Sequence, residues 1–189
     1  RDLRLSRGLG DVYKRQHHVR SKSGLFDVSH MGEFIVSGNN AKTFLQNVTT
    51  NDIQKLEAGK VQYSAFCNDS GGIIDDLLVY HLGDHYMLVV NASNIEKNFE
   101  WLSSKLIDDV SLEDKSDSIS LLALQGPLSR THLKKLYPKI EDLKYYETLL
   151  PDNNEVIVAR TGYSGELGFE IYAPNSIILK LWNEILSLS

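Results

Sequence analysis

The sequence has few of the residues that mark several protein classes. It contains one cysteine, Cys67, among 189 residues, which excludes an internal disulfide and disfavours a zinc site built on thiolates. No apolar run approaches the roughly 20 residues that a membrane helix needs. The formal net charge is −5, whereas a nucleic-acid partner requires a basic face. We therefore expect an intracellular protein, cytoplasmic or (in a eukaryote) mitochondrial, without a membrane or nucleic-acid partner.

Residues 1–16 differ in composition from the rest and read R-D-L-R-L-S-R-G-L-G-D-V-Y-K-R-Q. They hold five of the 20 basic and two of the 25 acidic residues, so that 15 basic and 23 acidic residues remain, a net charge of −8. They lack the apolar stretch and cleavage site of a signal peptide. Their end, D-V-Y-K-R-Q, is one reading frame of a transposase end sequence used as a sequencing adaptor. We expect residues 1–16 to be a non-native, adaptor-derived segment and residues 17–189 to form one domain.

Strands and helices alternate irregularly along the remaining chain. β-Branched and aromatic residues predict strands at residues 33–36, 62–67, 73–80, 86–90, 119–124, 156–160 and 168–173. Helices are predicted at residues 40–46, 93–106, 126–137 and 176–188. For the second of these, Ser93 and Glu96 suggest a capping box, and an apolar stripe follows with Ile95, Phe99, Leu102 and Leu106. This order predicts the α+β class, with a largely antiparallel sheet and packed helices on one side.

Two adjacent carboxylates, Asp75 and Asp76, interrupt an otherwise apolar strand in the segment N-D-S-G-G-I-I-D-D-L-L-V-Y (residues 68–80). Neighbouring strand residues point to opposite faces, so only one of the two can face inward. An inward carboxylate needs a partner. The competing interpretation is a bulge or strand end that leaves both in solvent. Metal binding is disfavoured because the two side chains cannot reach one ion, so no metal is expected.

A second segment, G-Y-S-G-E-L-G-F-E (residues 162–170), has three glycines in seven residues. Glycine permits tight turns or close approach of backbone to a ligand. The segment lacks the Lys-Ser/Thr ending of a phosphate loop, and the residues alone favour an ordinary β-hairpin over a site.

Six segments together resemble the T-protein family of the glycine cleavage system, and they occur in the family's order. They are H-H-V-R-S-K-S-G-L-F-D-V-S-H-M-G (17–32), G-K-V-Q-Y-S (59–64), G-G-I-I-D-D-L-L-V-Y (71–80), V-V-N-A-S-N-I-E-K (89–97), A-L-Q-G-P (123–127) and R-T-G-Y-S-G-E-L-G-F-E-I (160–171). The resemblance covers nearly all of residues 17–189. It implies a folate-binding aminomethyltransferase domain that lacks the family's usual start and C-terminal half.

The resemblance implies an activity and its partners. Family members transfer the methylene of an aminomethyl group, carried on the lipoyl arm of H-protein, to tetrahydrofolate and release ammonia. Tetrahydrofolate is thus the expected acceptor substrate, and lipoylated H-protein is the expected partner. The family also uses an arginine that would lie beyond Ser189, so the site in this chain is expected to be incomplete.

The resemblance also assigns roles to individual residues. Asp75, the first aspartate of G-G-x-x-D-D, matches the catalytic position, where a carboxylate can hold the folate amine and stabilise a cationic intermediate. Whether it also acts as a base is left open. Glu170 matches the pterin-binding glutamate. The remaining matches are two folate-contacting positions and two pocket-wall positions: Tyr163 and Asn91, and Met31 and Tyr63.

Three alternatives remain open at this point. A folate-binding maturation factor for iron–sulfur proteins would carry a K-G-C-Y-like motif, whereas the cysteine here lies in F-C-N-D. The folate domain of a sarcosine- or dimethylglycine-oxidising enzyme would accompany a flavin domain. A nonenzymatic α+β interaction module would leave the six ordered motifs unexplained.

Overall fold

The computed structural model describes residues 9–151 and 155–188. Its helices are α1 (Leu9–Ser21), α2 (Ala41–Val48), α3 (Ile95–Ser103), α4 (Ser129–Leu133) and α5 (Asn175–Leu186). Its strands are β1 (Gly24–Asp27), β2 (Gly32–Ser37), β3 (Val61–Cys67), β4 (Ile73–His81), β5 (Tyr86–Val90), β6 (Ser111–Asp114), β7 (Ile119–Gln125), β8 (Thr148–Leu149), β9 (Ile157–Ala159) and β10 (Gly168–Pro174). Short 3-10 turns occupy Ile53–Lys55, Ala92–Asn94 and Pro138–Asp142.

The strands form two antiparallel sheets of five. The first has the order β1-β7-β10-β9-β8, and the second has the order β3-β4-β5-β2-β6. The predicted α+β class and antiparallel pairing are therefore confirmed. The division into two sheets was not predicted, because strand periodicity does not reveal which strands share hydrogen bonds.

The two sheets face each other, and helices cover their outer faces. Between the sheets lies a core to which both contribute, including Tyr80, Met87 and Val89 from the second sheet and Leu121 and Tyr172 from the first. Helices α2 and α3 pack on the outer face of the second sheet, and α4 and α5 on that of the first. Both faces of the central strands are consequently buried.

Apolar spacing explains two of the helices well. In α2, the buried residues recur at intervals of three and four, as one helical face requires: Ala41, Phe44, Leu45 and Val48. In α5, Leu181 and Ile185 are buried, and Ile178 and Trp182 pack beside them. The helix predicted over residues 176–188 is thus confirmed, and one side of it is apolar and buried.

Two helix predictions are wrong in detail. Helix α3 ends at Ser103, before Leu106, and no capping box forms: the residue at its N-cap is Asn94, which makes no side-chain capping bond. The amide of Asn94 instead interacts with Asp75. The helix predicted over residues 126–137 is reduced to the five residues of α4. Pro138 then opens a 3-10 turn.

The N-terminal helix α1 runs through position 16, where the adaptor-derived segment was expected to end. The side chains of residues 12–18 are exposed, and the segment before Leu9 lies outside the described residues. That residues 1–16 are foreign to the fold stays a prediction. Among the described residues, no helix is long and apolar enough to cross a membrane.

Candidate functional site

A cleft opens between the two sheets. Its walls come from the second sheet through Asp76 and Asn91 and from the first through Leu121 and Glu170, with Met31 and Tyr163 at its side. The space enclosed by these residues is small, about 20 Å³. Met31, Tyr163 and Glu170 also line a cavity of about 500 Å³, and Tyr163 also lines one of about 310 Å³ beside Tyr63. These three adjoining spaces, called the cleft below, combine apolar walls with a few polar groups, as small-molecule sites do.

Five of the six residues singled out from the sequence line the cleft. Met31, Asn91, Tyr163 and Glu170 share one stretch of wall, and Tyr63 lies in the adjoining part with Tyr163. The ring of Tyr163 is 79% exposed, which leaves it open to contact with a ligand. The sixth, Asp75, does not line the cleft.

Asp75 and Asp76 point to opposite faces of β4. Asp75 shares its face with Leu77 and Val79, which belong to the core beneath the helices. Asp76 shares its face with Leu78, which lies towards the other sheet. Asp75 is 8% exposed, and a register shift between Phe66 and Cys67 adjoins it. The alternative in which both carboxylates lie in solvent is therefore wrong.

Three asparagines surround Asp75. Asn98 donates from Nδ2 to Oδ2 at 2.6 Å, Asn91 donates to Oδ1 at 2.9 Å, and Asn94 lies near enough to lower the pKa of Asp75 a little further. Burial acts to raise the pKa of Asp75, but these bonds outweigh it and place the pKa below its usual value. Asp75 is therefore an ionised carboxylate, and each of its two oxygens accepts a hydrogen bond.

Asn91 connects the two carboxylates. Its Nδ2 lies 2.9 Å from Oδ1 of Asp75 and 2.7 Å from Oδ1 of Asp76. The hydroxyl of Tyr63 donates to Oδ2 of Asp76 at 2.6 Å, which raises the pKa of Tyr63. Asp76 is thus held in place at the edge of the cleft, and Asp75 holds Asn91 from behind.

Glu170 reaches the cleft from β10. It is 6% exposed, and its Oε2 accepts a hydroxyl hydrogen bond from Thr161. Burial raises its pKa, although hydroxyl donors counteract this effect.

Steric crowding explains two glycines, one in the loop before β10 and one at the start of β10: a Cβ at Gly162 or Gly168 would meet the side chain of Gln125 at 2.4 Å or 2.1 Å. The loop joins the antiparallel β9 and β10, so it is both a hairpin and a wall of the cleft.

Asn94 and Asn98 were not predicted as site residues. They follow Asn91 by three and seven positions in N-A-S-N-I-E-K-N, and this spacing places side chains on one face of a helix. The spacing was therefore an available signal. Among the described residues, no cluster of three or more His, Cys, Asp or Glu side chains could hold a metal ion.

Comparisons with known proteins agree with this architecture. A sequence model described as the GCVT N-terminal domain matches residues 10–189. An aminomethyltransferase of Geobacillus sp. (strain WCH70) is 49% identical over 179 residues, which is 92% of this chain and 49% of the relative. One from Chloroherpeton thalassium is 49% identical over 173 residues, 89% of this chain and 48% of the relative. The chain belongs to the GCVT N-terminal domain family and spans about half the length of these relatives.

Solved structures show the same fold. The glycine cleavage system aminomethyltransferase T from Bartonella henselae superposes with a TM-score of 0.86 at 33% identity, covering 93% of this chain and 48% of that one. A heterotetrameric sarcosine oxidase from Corynebacterium sp. U-96 gives a TM-score of 0.64 at 19% identity, covering 88% and 83%. The second likeness concerns the fold alone and adds nothing in favour of the oxidase alternative.

Proposed function

We propose that this chain is the folate-binding part of an aminomethyltransferase of the glycine cleavage system. The reaction transfers the methylene of an aminomethyl group from the lipoyl arm of H-protein to tetrahydrofolate and releases ammonia. One observation carries the proposal: two carboxylates from different sheets, Asp76 and Glu170, share a cleft with the exposed ring of Tyr163. Membership of the family supports it. The protein would work in the cytoplasm of a bacterium, or in a mitochondrion.

Glu170 and Tyr163 suit a pterin ring. A carboxylate oxygen has two lone pairs and can accept hydrogen bonds from adjacent N–H groups, and Glu170 has the buried surroundings that strengthen such bonds. Tyr163 can stack on the ring, and Met31 supplies an apolar wall. Asn91 uses its amide nitrogen on the two aspartates, so its amide oxygen can accept a bond from the ligand.

The two aspartates have different proposed roles. The sequence motif singled out Asp75, but its face of β4 is turned towards the helices, whereas Asp76 lines the cleft. We therefore assign contact with the substrate to Asp76. Its negative charge would stabilise the cationic, iminium-like species through which the methylene is transferred and would hold the folate amine in place. Asp75 would act through Asn91, as a positioning residue.

Titration calorimetry of this chain with tetrahydrofolate tests the proposed ligand. We expect saturable binding that Glu170→Ala weakens by about 1–3 kcal/mol, because N–H groups of the ligand lose their acceptor in a buried place. Glu100→Ala, which removes an exposed carboxylate of α3, is the matched control and should bind as the original chain does. Equal affinity of the two variants would remove Glu170 from the site, and absence of binding by the original chain would contradict a folate site.

Asp75→Asn and Asp76→Asn test the catalytic assignment. Both substitutions keep the size of the side chain, remove one charge and replace one acceptor oxygen by an NH2 donor. For activity, the chain replaces the matching half of the Geobacillus relative, and methylenetetrahydrofolate formation from aminomethylated H-protein is followed. Asp76→Asn should lower turnover by about two or more orders of magnitude with little change in folate affinity. Asp75→Asn should cost less. A larger loss from Asp75→Asn would return the catalytic role to Asp75.

A further inference from the structure

Three buried hydroxyl groups lie behind Glu170. Thr161, Tyr80 and Tyr172 all contact its Oε2: Thr161 donates to it, and the tyrosine hydroxyls lie 3.4 Å away. The two tyrosine oxygens are 2.8 Å from each other. The three residues are at most 2% exposed. Such a closed cluster fixes one oxygen of the carboxylate, Oε2, among buried hydroxyl groups.

The hydrogens of this cluster form a chain that ends on Glu170. Each hydroxyl carries one hydrogen, and Thr161 gives its own to Oε2. At 2.8 Å one tyrosine donates to the other, which leaves the second tyrosine free to donate to Oε2. All three hydroxyls therefore favour the ionised carboxylate, and they oppose the effect of burial, which raises the pKa of Glu170.

The cluster joins the two sheets. Tyr80 belongs to β4 in the second sheet, whereas Tyr172 shares β10 of the first sheet with Glu170. Their rings meet edge to face, with centroids 5.4 Å apart. The position of Glu170 in the cleft therefore depends on the packing of one sheet against the other.

We propose that Tyr80, Tyr172 and Thr161 are positioning residues that hold Oε2 of Glu170 from behind and favour its negative charge, so that Oε1 faces the cleft as an acceptor for the N–H groups of a ligand. The identity of that ligand as a folate rests on the proposed function. The hydroxyl arrangement itself does not depend on it.

The direct test follows the carboxyl carbon of Glu170 by ¹³C NMR during a pH titration of the 189-residue chain, with assignment from Glu170→Gln. Tyr80→Phe, Tyr172→Phe and Thr161→Val each remove one hydroxyl and keep the packed shape. We expect the titration midpoint to move upward in each, by about one unit for Thr161→Val. Thr161→Ser keeps the hydroxyl and should restore the original midpoint.

Tyr86→Phe is the matched control. Tyr86 is buried elsewhere, stacked on His81, so its change should leave the midpoint where it was. Midpoints that stay unchanged in the Tyr80, Tyr172 and Thr161 variants would overturn the proposal. A shift that appears equally in Tyr86→Phe would also overturn it, because a general loosening of the core would then be the cause. If a phenylalanine variant fails to fold, the comparison of Thr161→Val with Thr161→Ser still tests the proposal.

Tetrahydrofolate binding at different pH separates this inference from the proposed function. If the ionised Glu170 binds the ligand, affinity falls as pH drops through its pKa, and a raised pKa moves that fall to higher pH. The hydroxyl variants should therefore bind several-fold more weakly than the original chain at a pH near the NMR midpoint of the original chain, and nearly equally at a pH well above the midpoints of the variants. Shifted NMR midpoints without tetrahydrofolate binding by the original chain would support the positioning role and contradict the folate ligand.

Discussion

Glu33 leads to a quantitative prediction about stability. Its side chain on β2 is 0% exposed, and neither carboxyl oxygen has a hydrogen-bond partner among the described residues. Burial, with a smaller contribution from the nearby Asp114, raises its pKa to about 8. The group is therefore neutral in the folded chain at pH 7. Folding should be favoured when Glu33 is protonated and opposed when the pH ionises it.

The magnitude follows from linkage between ionisation and folding. A carboxyl group whose pKa is 4.5 when unfolded and about 8 when folded costs no stability below pH 4.5. The cost grows as the pH rises from there and becomes constant above about pH 8. Between pH 6 and pH 9 it increases by about 2.5 kcal/mol. In a chain of this size, that difference lowers the melting temperature by roughly 5–10 °C.

Glu33→Gln removes the titration and should flatten this part of the pH profile. Urea unfolding at pH 6, 7, 8 and 9 measures the free energy of unfolding of both chains, and the difference between them isolates Glu33 from the other titrating groups. A constant offset from the new amide does not affect the slope. Glu113→Gln, on the neighbouring β6 and exposed, should keep the original slope. Parallel profiles of Glu33→Gln and the original chain would refute the argument.

Three further predictions concern the site and the N-terminus. Asn98→Ala should cost about 1–3 kcal/mol in urea unfolding, because Asp75 loses a buried donor at 2.6 Å; an unchanged midpoint would mean that water replaces it. Tyr163→Ala should change stability by less than about 0.5 kcal/mol but weaken tetrahydrofolate binding about tenfold, and intact affinity would count against stacking. Removal of residues 1–16 should leave the melting temperature within error, since the side chains of residues 12–16 are exposed, and a clear drop would show that they belong to the fold.

Local patterns determined much of the secondary structure. The predicted strand at residues 86–90 coincides with β5, and β3, β4 and β7 differ from their predictions by one residue at an end. These strands are rich in β-branched and aromatic side chains, whose preference for a pleated surface is expressed within a few residues. The short β6 escaped prediction because only Leu112 in it is apolar and partly buried, so it carries no alternation.

The capping box failed for a tertiary reason. The sequence S-N-I-E satisfies the local pattern at Ser93 and Glu96, and an isolated peptide could use it. In the folded chain Ser93 lies within a 3-10 turn, and Asn94, at the end of that turn, interacts with Asp75 of β4. A buried carboxylate without donors costs more than an unfilled cap, so the contact with Asp75 prevails.

The sequence by itself determined that one of Asp75 and Asp76 would face away from the other, because alternation along a strand is a local property. The resemblance of the sequence to a family also assigned Met31, Asn91, Tyr163 and Glu170 to one binding site. Only the tertiary structure decided which aspartate meets the cleft. Both faces of β4 are buried, one by helices and one by the first sheet, so the sequence alone cannot say which face of β4 lines the cleft.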